Sequence, residues 1–245
     1  MAPLLVSGCG GGEGPASPPP TTDGSEVREV PARNRLAALA AAAADRRFTA
    51  AYRLSVTDRA DRTVTVALAD DGTWRLDVSG GAADGRSDVA VVRTADGLYE
   101  CEPAQVDSPI GPSCVRVAGP DGALPADAVL WVHHLFTDWV HALSDRQAPL
   151  AVSDGEPLPG AAGSCFAVES TSASLEPPLA VGTYCYAADG TLTGARVTSG
   201  TLVLAGAPLP APDTVSLPGP VVVGAPFGSV PPTAAAPADP PVSPR

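Results

Sequence analysis

The sequence predicts an α+β domain: an antiparallel β-sheet with helices laid on it, set between two linker-like ends. Three observations carry this. Apolar residues recur at every second position in a series of short runs from Phe48 onward. Asp- and Gly-containing turns, such as Asp70-Asp71-Gly72 and Asp189-Gly190, separate those runs. Two stretches, Val30 to Arg47 and Asp127 to Asp145, carry helical spacing instead.

Taken in order, residues 10–30 are Gly-rich and then turn to Pro-Pro-Pro-Thr-Thr, a flexible linker. An Ala-rich helix follows, with Pro31 in its first turn and Leu36, Leu39 and Ala43 on one face. Phe48, Ala50, Tyr52, Leu54 and Val56 then alternate with Thr49, Ala51, Arg53, Ser55 and Thr57, a half-buried strand. Val64, Val66 and Leu68 form a second strand, and Trp74, Leu76 and Val78 a third across the Asp70-Asp71-Gly72 turn. Val89 to Arg93 and Leu98 to Cys101 continue the meander. Residues 102–125, rich in Pro, Gly and Ser, read as a loop. Asp127 caps a single helix of about 18 residues whose apolar face is Val132, Phe136, Trp139 or Val140, and Leu143. Strands resume at Leu150 to Val152, Cys165 to Glu169, Val181 to Ala187, Leu192 to Thr198 and Thr201 to Leu204. The domain therefore spans 31–206, and residues 207–245 form a Pro-rich disordered tail, with Val221-Val222-Val223 as a last short contact.

Composition narrows the function classes. Hydrophobic residues make up 44% and mean hydropathy is +0.12, so a sizeable core is available. Aromatics are only 4%, which leaves Val, Leu and Ala to fill it. Every basic residue is Arg, and the net charge of −12 argues against nucleic acid, whose phosphates need clustered cations. No apolar run reaches the 18 or more residues of a transmembrane helix.

Near the start stands Leu5-Val6-Ser7-Gly8-Cys9. An apolar residue, a small polar one, Gly and Cys resemble the lipobox of bacterial lipoproteins. The resemblance implies cleavage before Cys9, a diacylglyceryl group and palmitate-type acyl chains on Cys9, and a mature chain held at the outer face of the cell membrane. Residues 1–8 are then the remnant of a signal peptide and 9–30 the lipidated Cys with its linker. Only eight residues precede Cys9 and none is basic, so the full signal is expected to begin upstream. Removing Cys9 leaves Cys101, Cys114, Cys165 and Cys185, an even set consistent with disulfides in an oxidising, exported setting. Four cysteines allow three pairings, of which Cys101 with Cys114 and Cys165 with Cys185 is the sequence-local one.

Between residues 30 and about 206, the order of helix, meander, helical insertion and further strands resembles the LolA/LppX/LprG group of lipoprotein carriers and lipid-binding lipoproteins. The likeness rests on Phe48-Thr-Ala-Ala-Tyr52, Gly72-Thr-Trp-Arg-Leu-Asp77 and Thr183-Tyr-Cys-Tyr-Ala-Ala-Asp-Gly190. It implies a curved, incomplete barrel whose concave face is covered by helices and holds an apolar ligand, with lipid among the candidates. Phe48, Tyr52 and Trp74 on the sheet and Trp131, Leu135, Phe136 and Trp139 on the helical lid are the ligand-binding residues this implies. The same residues serve equally as plain core, which makes a structural or protein-interaction lipoprotein of the cell envelope the alternative.

Catalytic patterns are weak. No G-x-S-x-G occurs, and all three histidines lie in one stretch, His133, His134 and His141. His134, Asp138 and His141 share a stripe at i, i+4, i+7, but the spacing is not H-E-x-x-H. A solvated helix face accounts for the stripe, with His133 at the rim. The sequence therefore predicts a non-enzymatic protein with no metal and no cofactor, whose protein partner is not readable.

Overall fold

The computed structural model describes residues 30–82, 85, 87–105, 111–124, 131–172 and 178–225, and from Pro31 onward these belong to one compact unit. Cys9 and Asp127 lie outside the described residues.

Helix α1 (Ala32–Asp45) starts behind Pro31, whose carbonyl accepts from Asn34 N and Arg35 N. Six strands follow: β1 (Phe48–Ser55), β2 (Arg62–Leu68), β3 (Trp74–Val78), β4 (Val89–Thr94), β5 (Gly97–Glu102) and β6 (Ser113–Ala118). A 3₁₀ turn (Trp131–Phe136) and helix α2 (Asp138–Ser144) interrupt the strands. Then come β7 (Leu150–Asp154), β8 (Ser164–Ser170), β9 (Gly182–Tyr186), β10 (Leu192–Val197), β11 (Gly200–Leu204) and β12 (Val221–Val222).

All twelve join one curved, unclosed sheet in the order β12-β6-β5-β4-β3-β2-β1-β11-β10-β9-β8-β7. It is two meanders, β1 to β6 and β7 to β11, fused where β1 pairs antiparallel with β11 at Tyr52↔Leu204 and Leu54↔Leu202. This is an incomplete barrel, as expected. It is mixed rather than purely antiparallel, because β12 runs parallel to β6.

The period-two pattern sorts side chains onto two faces. The inner face carries Phe48, Ala50, Tyr52, Leu54, Val64, Val66, Leu76 and Val78 from one meander and Phe166, Val168, Tyr184, Tyr186, Ala195 and Leu202 from the other. Leu36 and Ala40 of α1, and Val132, Leu135, Trp139 and Leu143 of the later helical segments, close over it. Each large side chain so buried contributes about 1.5–3 kcal/mol. The helical segments, of 14, 6 and 7 residues, cover only part of the sheet.

The outer face holds two smaller clusters, each around a disulfide. Cys101–Cys114 joins directly opposed residues of β5 and β6, among Ala90, Val92 and Tyr99. Cys165–Cys185 does the same for β8 and β9, under Leu158 of the loop before β8.

Three expectations need correction. The single helix from Asp127 to Asp145 is, over its described part, two segments broken at Thr137, whose φ of −126° and ψ of −108° are not helical. Thr137 Oγ1 lies 3.0 Å from the His133 carbonyl, a side-chain bond of the kind that competes with helical ones. The loop expected at 102–125 contains β6, because Cys101 is bonded to Cys114 opposite it and Val117 packs against the inner core. The tail expected from 207 instead begins as a strap across the outer face. Thr49 and Leu209 exchange two backbone hydrogen bonds of 3.1 and 2.7 Å, and Asp70 N donates to Pro212 O at 3.0 Å. Val215 and Leu217 then cover the Cys101–Cys114 cluster, and Cys114 N donates to Pro220 O at 2.9 Å where β12 begins.

Candidate functional site

The helix break at Thr137 lies over the ends of β2, β3, β4 and β5, and two adjoining clefts open there. The first, of about 290 Å³, is lined by Trp74, Arg93, Leu98 and the 121–124 segment on one side and by His133, His134, Thr137 and Asp138 on the other. The second, of about 330 Å³, lies between the end of α1, the β2–β3 turn and Phe136, Thr137, Asp138 and His141. Trp74, Thr137 and Asp138 line both.

Local chemistry holds each wall in place. Trp74 and Arg93 are opposed on β3 and β4, with the guanidinium 6.0 Å from the indole ring. Arg93 also donates to the Pro120 carbonyl and, at 2.6 Å, to Gly122 O, which fixes the segment after β6. Asp71 shapes the β2–β3 turn by accepting from Thr73 N at 2.9 Å and Thr73 Oγ1 at 2.6 Å. Those bonds hold its carboxyl below the usual range. Thr73 Oγ1 in turn accepts from Val215 N at 3.0 Å, so the strap is latched to the floor of the second cleft.

On the helical side His134 Nδ1 lies 2.8 Å from both carboxylate oxygens of Asp138, and Thr137 Oγ1 lies 2.7 Å from one of them. Burial pulls the Asp138 pKa upward, but the bonds to His134 and Thr137 outweigh it and hold it at about 2. His134 stacks on Trp139 at 5.2 Å, and Trp139 stacks on Trp131 at 6.2 Å and meets Tyr184 edge-on at 6.4 Å. The site thus combines apolar walls with one ionised carboxylate and two imidazoles.

Of the residues expected to bind a ligand, Trp74 lines both clefts and Phe136 the second. Phe48, Tyr52, Leu135 and Trp139 are buried in the inner core beneath, and Tyr52 meets Phe136 edge-on at 5.3 Å. Trp131 is partly buried against the same core. The four disulfide cysteines lie on the outer face, away from the clefts. The histidine stripe is divided: His134 and Asp138 stay together, His141 turns to the second cleft, and His133, expected at the rim, is only 5% exposed and lines the first. Sequence reading did not find Arg93, Leu98 or the 121–124 segment: Arg93 and Leu98 reach the site through the pairing of β3 with β4 and β4 with β5, and 121–124 through the pairing of β5 with β6 and the Arg93 bond to Gly122 O.

No protein-family model matches this chain, and no curated protein matches it. Among the described residues no helix is long and apolar enough to cross a membrane.

Proposed function

We propose that the protein is an exported lipoprotein, anchored to the outer face of the cell membrane through acylated Cys9, which binds an apolar ligand without catalysing a reaction. The observation that carries the binding role is the pair of clefts sharing Trp74, Thr137 and Asp138 at the break in the helical cover. Their apolar walls (Trp74, Leu68, Leu98, Leu124, Phe136) suit an acyl or aromatic group, and each buried methylene contributes about 0.8 kcal/mol. Their volumes stand near the lower end of the ~300–1,000 Å³ of ligand sites, which favours a single short chain over a multi-chain lipid. The incomplete barrel agrees with the LolA-like reading, and the disulfides agree with export.

Native mass spectrometry of the gently purified full chain tests this. A co-purifying apolar molecule that is lost in Trp74→Ala supports the reading, and a clean apo mass in both sinks it. Metabolic labelling with an alkyne fatty acid tests the anchor: label is expected on the wild type and absent from Cys9→Ser. A second reading, a filled-core lipoprotein that meets an envelope protein, is favoured by one observation. Tyr52, Phe166, Tyr184 and Tyr186 are fully buried on the inner face beneath the clefts. It predicts the apo mass together with a cross-linked protein partner.

A further inference from the structure

The geometry points to a divalent transition-metal site of the Zn²⁺ class, made by His133, His134 and Asp138, in the first cleft. The inference stands apart from the apolar-ligand reading and does not need it.

One donor atom from each of the three residues lies within 4.8 Å of the others. Tetrahedral bonds of about 2.0–2.1 Å put donors on one Zn²⁺ about 3.3–3.4 Å apart, so the set closes with a relative shift of up to about 1.5 Å. The side chains able to make that shift are His134 and Asp138, 34% and 61% exposed, while His133 is held in the core at 5%. Two imidazoles and one carboxylate are a recurrent borderline-metal set, and three protein ligands leave a position for water or a ligand oxygen. That position faces the first cleft, which all three residues line.

The surroundings fit. Thr137 Oγ1, 2.7 Å from Asp138 Oδ1, orients the carboxylate as an outer partner does. Arg93, the cation on the cleft wall, directs its guanidinium to the carbonyls of Pro120 and Gly122. The fold selects this trio over the helical stripe: the break at Thr137 leaves His141 on the second cleft and brings His133 to the first.

The test uses the full chain, stripped with a chelator and titrated with Zn²⁺ by calorimetry, with Co²⁺ absorption as a spectroscopic readout. Saturable binding of one ion per chain is expected. His134→Gln and Asp138→Asn, both at solvent-facing side chains, are expected to lose more than the ~10–100-fold that removing a supporting partner costs, and Thr137→Val about 10-fold. His141→Ala is expected to bind as the wild type does. His133→Gln is read together with circular dichroism and is expected to lose the ion while keeping the spectrum. Absence of saturable binding by the wild type overturns the site. So does wild-type affinity in His134→Gln or Asp138→Asn, ion retention by a folded His133→Gln, or an equal loss in His141→Ala.

Discussion

Three tyrosines are buried on the inner face, and their hydroxyls differ. Tyr52 Oη donates to Leu192 O at 3.0 Å, and Tyr184 Oη donates to the Ala180 carbonyl. Tyr186 Oη has no hydrogen-bond partner. Removing one hydroxyl by mutation to Phe therefore has opposite signs at two neighbouring sites. Tyr52→Phe is expected to lower unfolding stability by about 1 kcal/mol, whereas Tyr186→Phe is neutral or raises it by up to about 1 kcal/mol. Urea unfolding of the two variants measures both. Burial first, then proximity to Tyr186 for Tyr52 and Tyr184, pushes these hydroxyls above the ordinary value of 10.0. The folded chain then keeps protons that the unfolded chain loses above that value. The stability they confer is full below about pH 10 and is lost as pH rises beyond it. The urea midpoint should hold up to about pH 10 and fall as pH rises from about 10 to 12, less steeply in Tyr186→Phe. Asp138 has the opposite sign. Its carboxyl, held at about 2, supports the fold above the unfolded value of 3.8 and ceases to as pH falls through about 2.

At the scale of elements, the β9–β10 turn meets α1 at a contact that admits no side chain. Gly190 has a φ of +87°, and a Cβ there would lie 2.7 Å from Ala43 N and 2.8 Å from the Ala42 carbonyl carbon. Alanines on the helix permit the approach, and the Arg46–Asp189 ion pair at 3.1 Å borders it. Gly190→Ala combines a strained backbone with a clash, and a loss of about 2–4 kcal/mol is expected in a denaturation midpoint series. The two disulfides close loops with sequence separations of 13 and 20. Replacing either pair by Ala should lower stability by about 3 kcal/mol, slightly more for Cys165–Cys185. Non-reducing peptide mapping should return those two pairs alone among the four residues.

For the whole molecule, the outer strap is the feature that unites distant parts. Residues 209–222 bond in turn to β1, the β2–β3 turn and β6. They cover one disulfide cluster and occupy the exposed edge of β6, which would otherwise present unpaired backbone groups. Val215→Ser with Leu217→Ser should cost at least about 2 kcal/mol. It should also speed reduction of Cys101–Cys114 by a thiol while leaving Cys165–Cys185 unchanged. Equal reduction rates at both bonds would show that the strap does not shield the first.

The sequence by itself determined the local level. Short apolar runs marked ten of the strands, alternation set the inner residues of the first three, Asp-Gly turns set hairpins such as β2–β3 and β9–β10, and the Ala-rich pattern set α1, because each depends on neighbours a few residues away. Periodicity likewise placed Trp74 and Phe136 on apolar faces, and the resemblance to the LolA-like group made them ligand-facing candidates. Only the tertiary structure decided the rest. The β1–β11 junction joins residues some 150 positions apart, the strap is a Pro-rich segment without period of its own, and β6 is held by a bond to a cysteine across the turn. The histidines make the point most directly. Spacing on an ideal helix groups His134, Asp138 and His141, whereas one non-helical residue, Thr137, re-aims the chain so that His133 takes the third place. A helical repeat carries information only as far as the helix continues, and where it stops is settled by what it packs against.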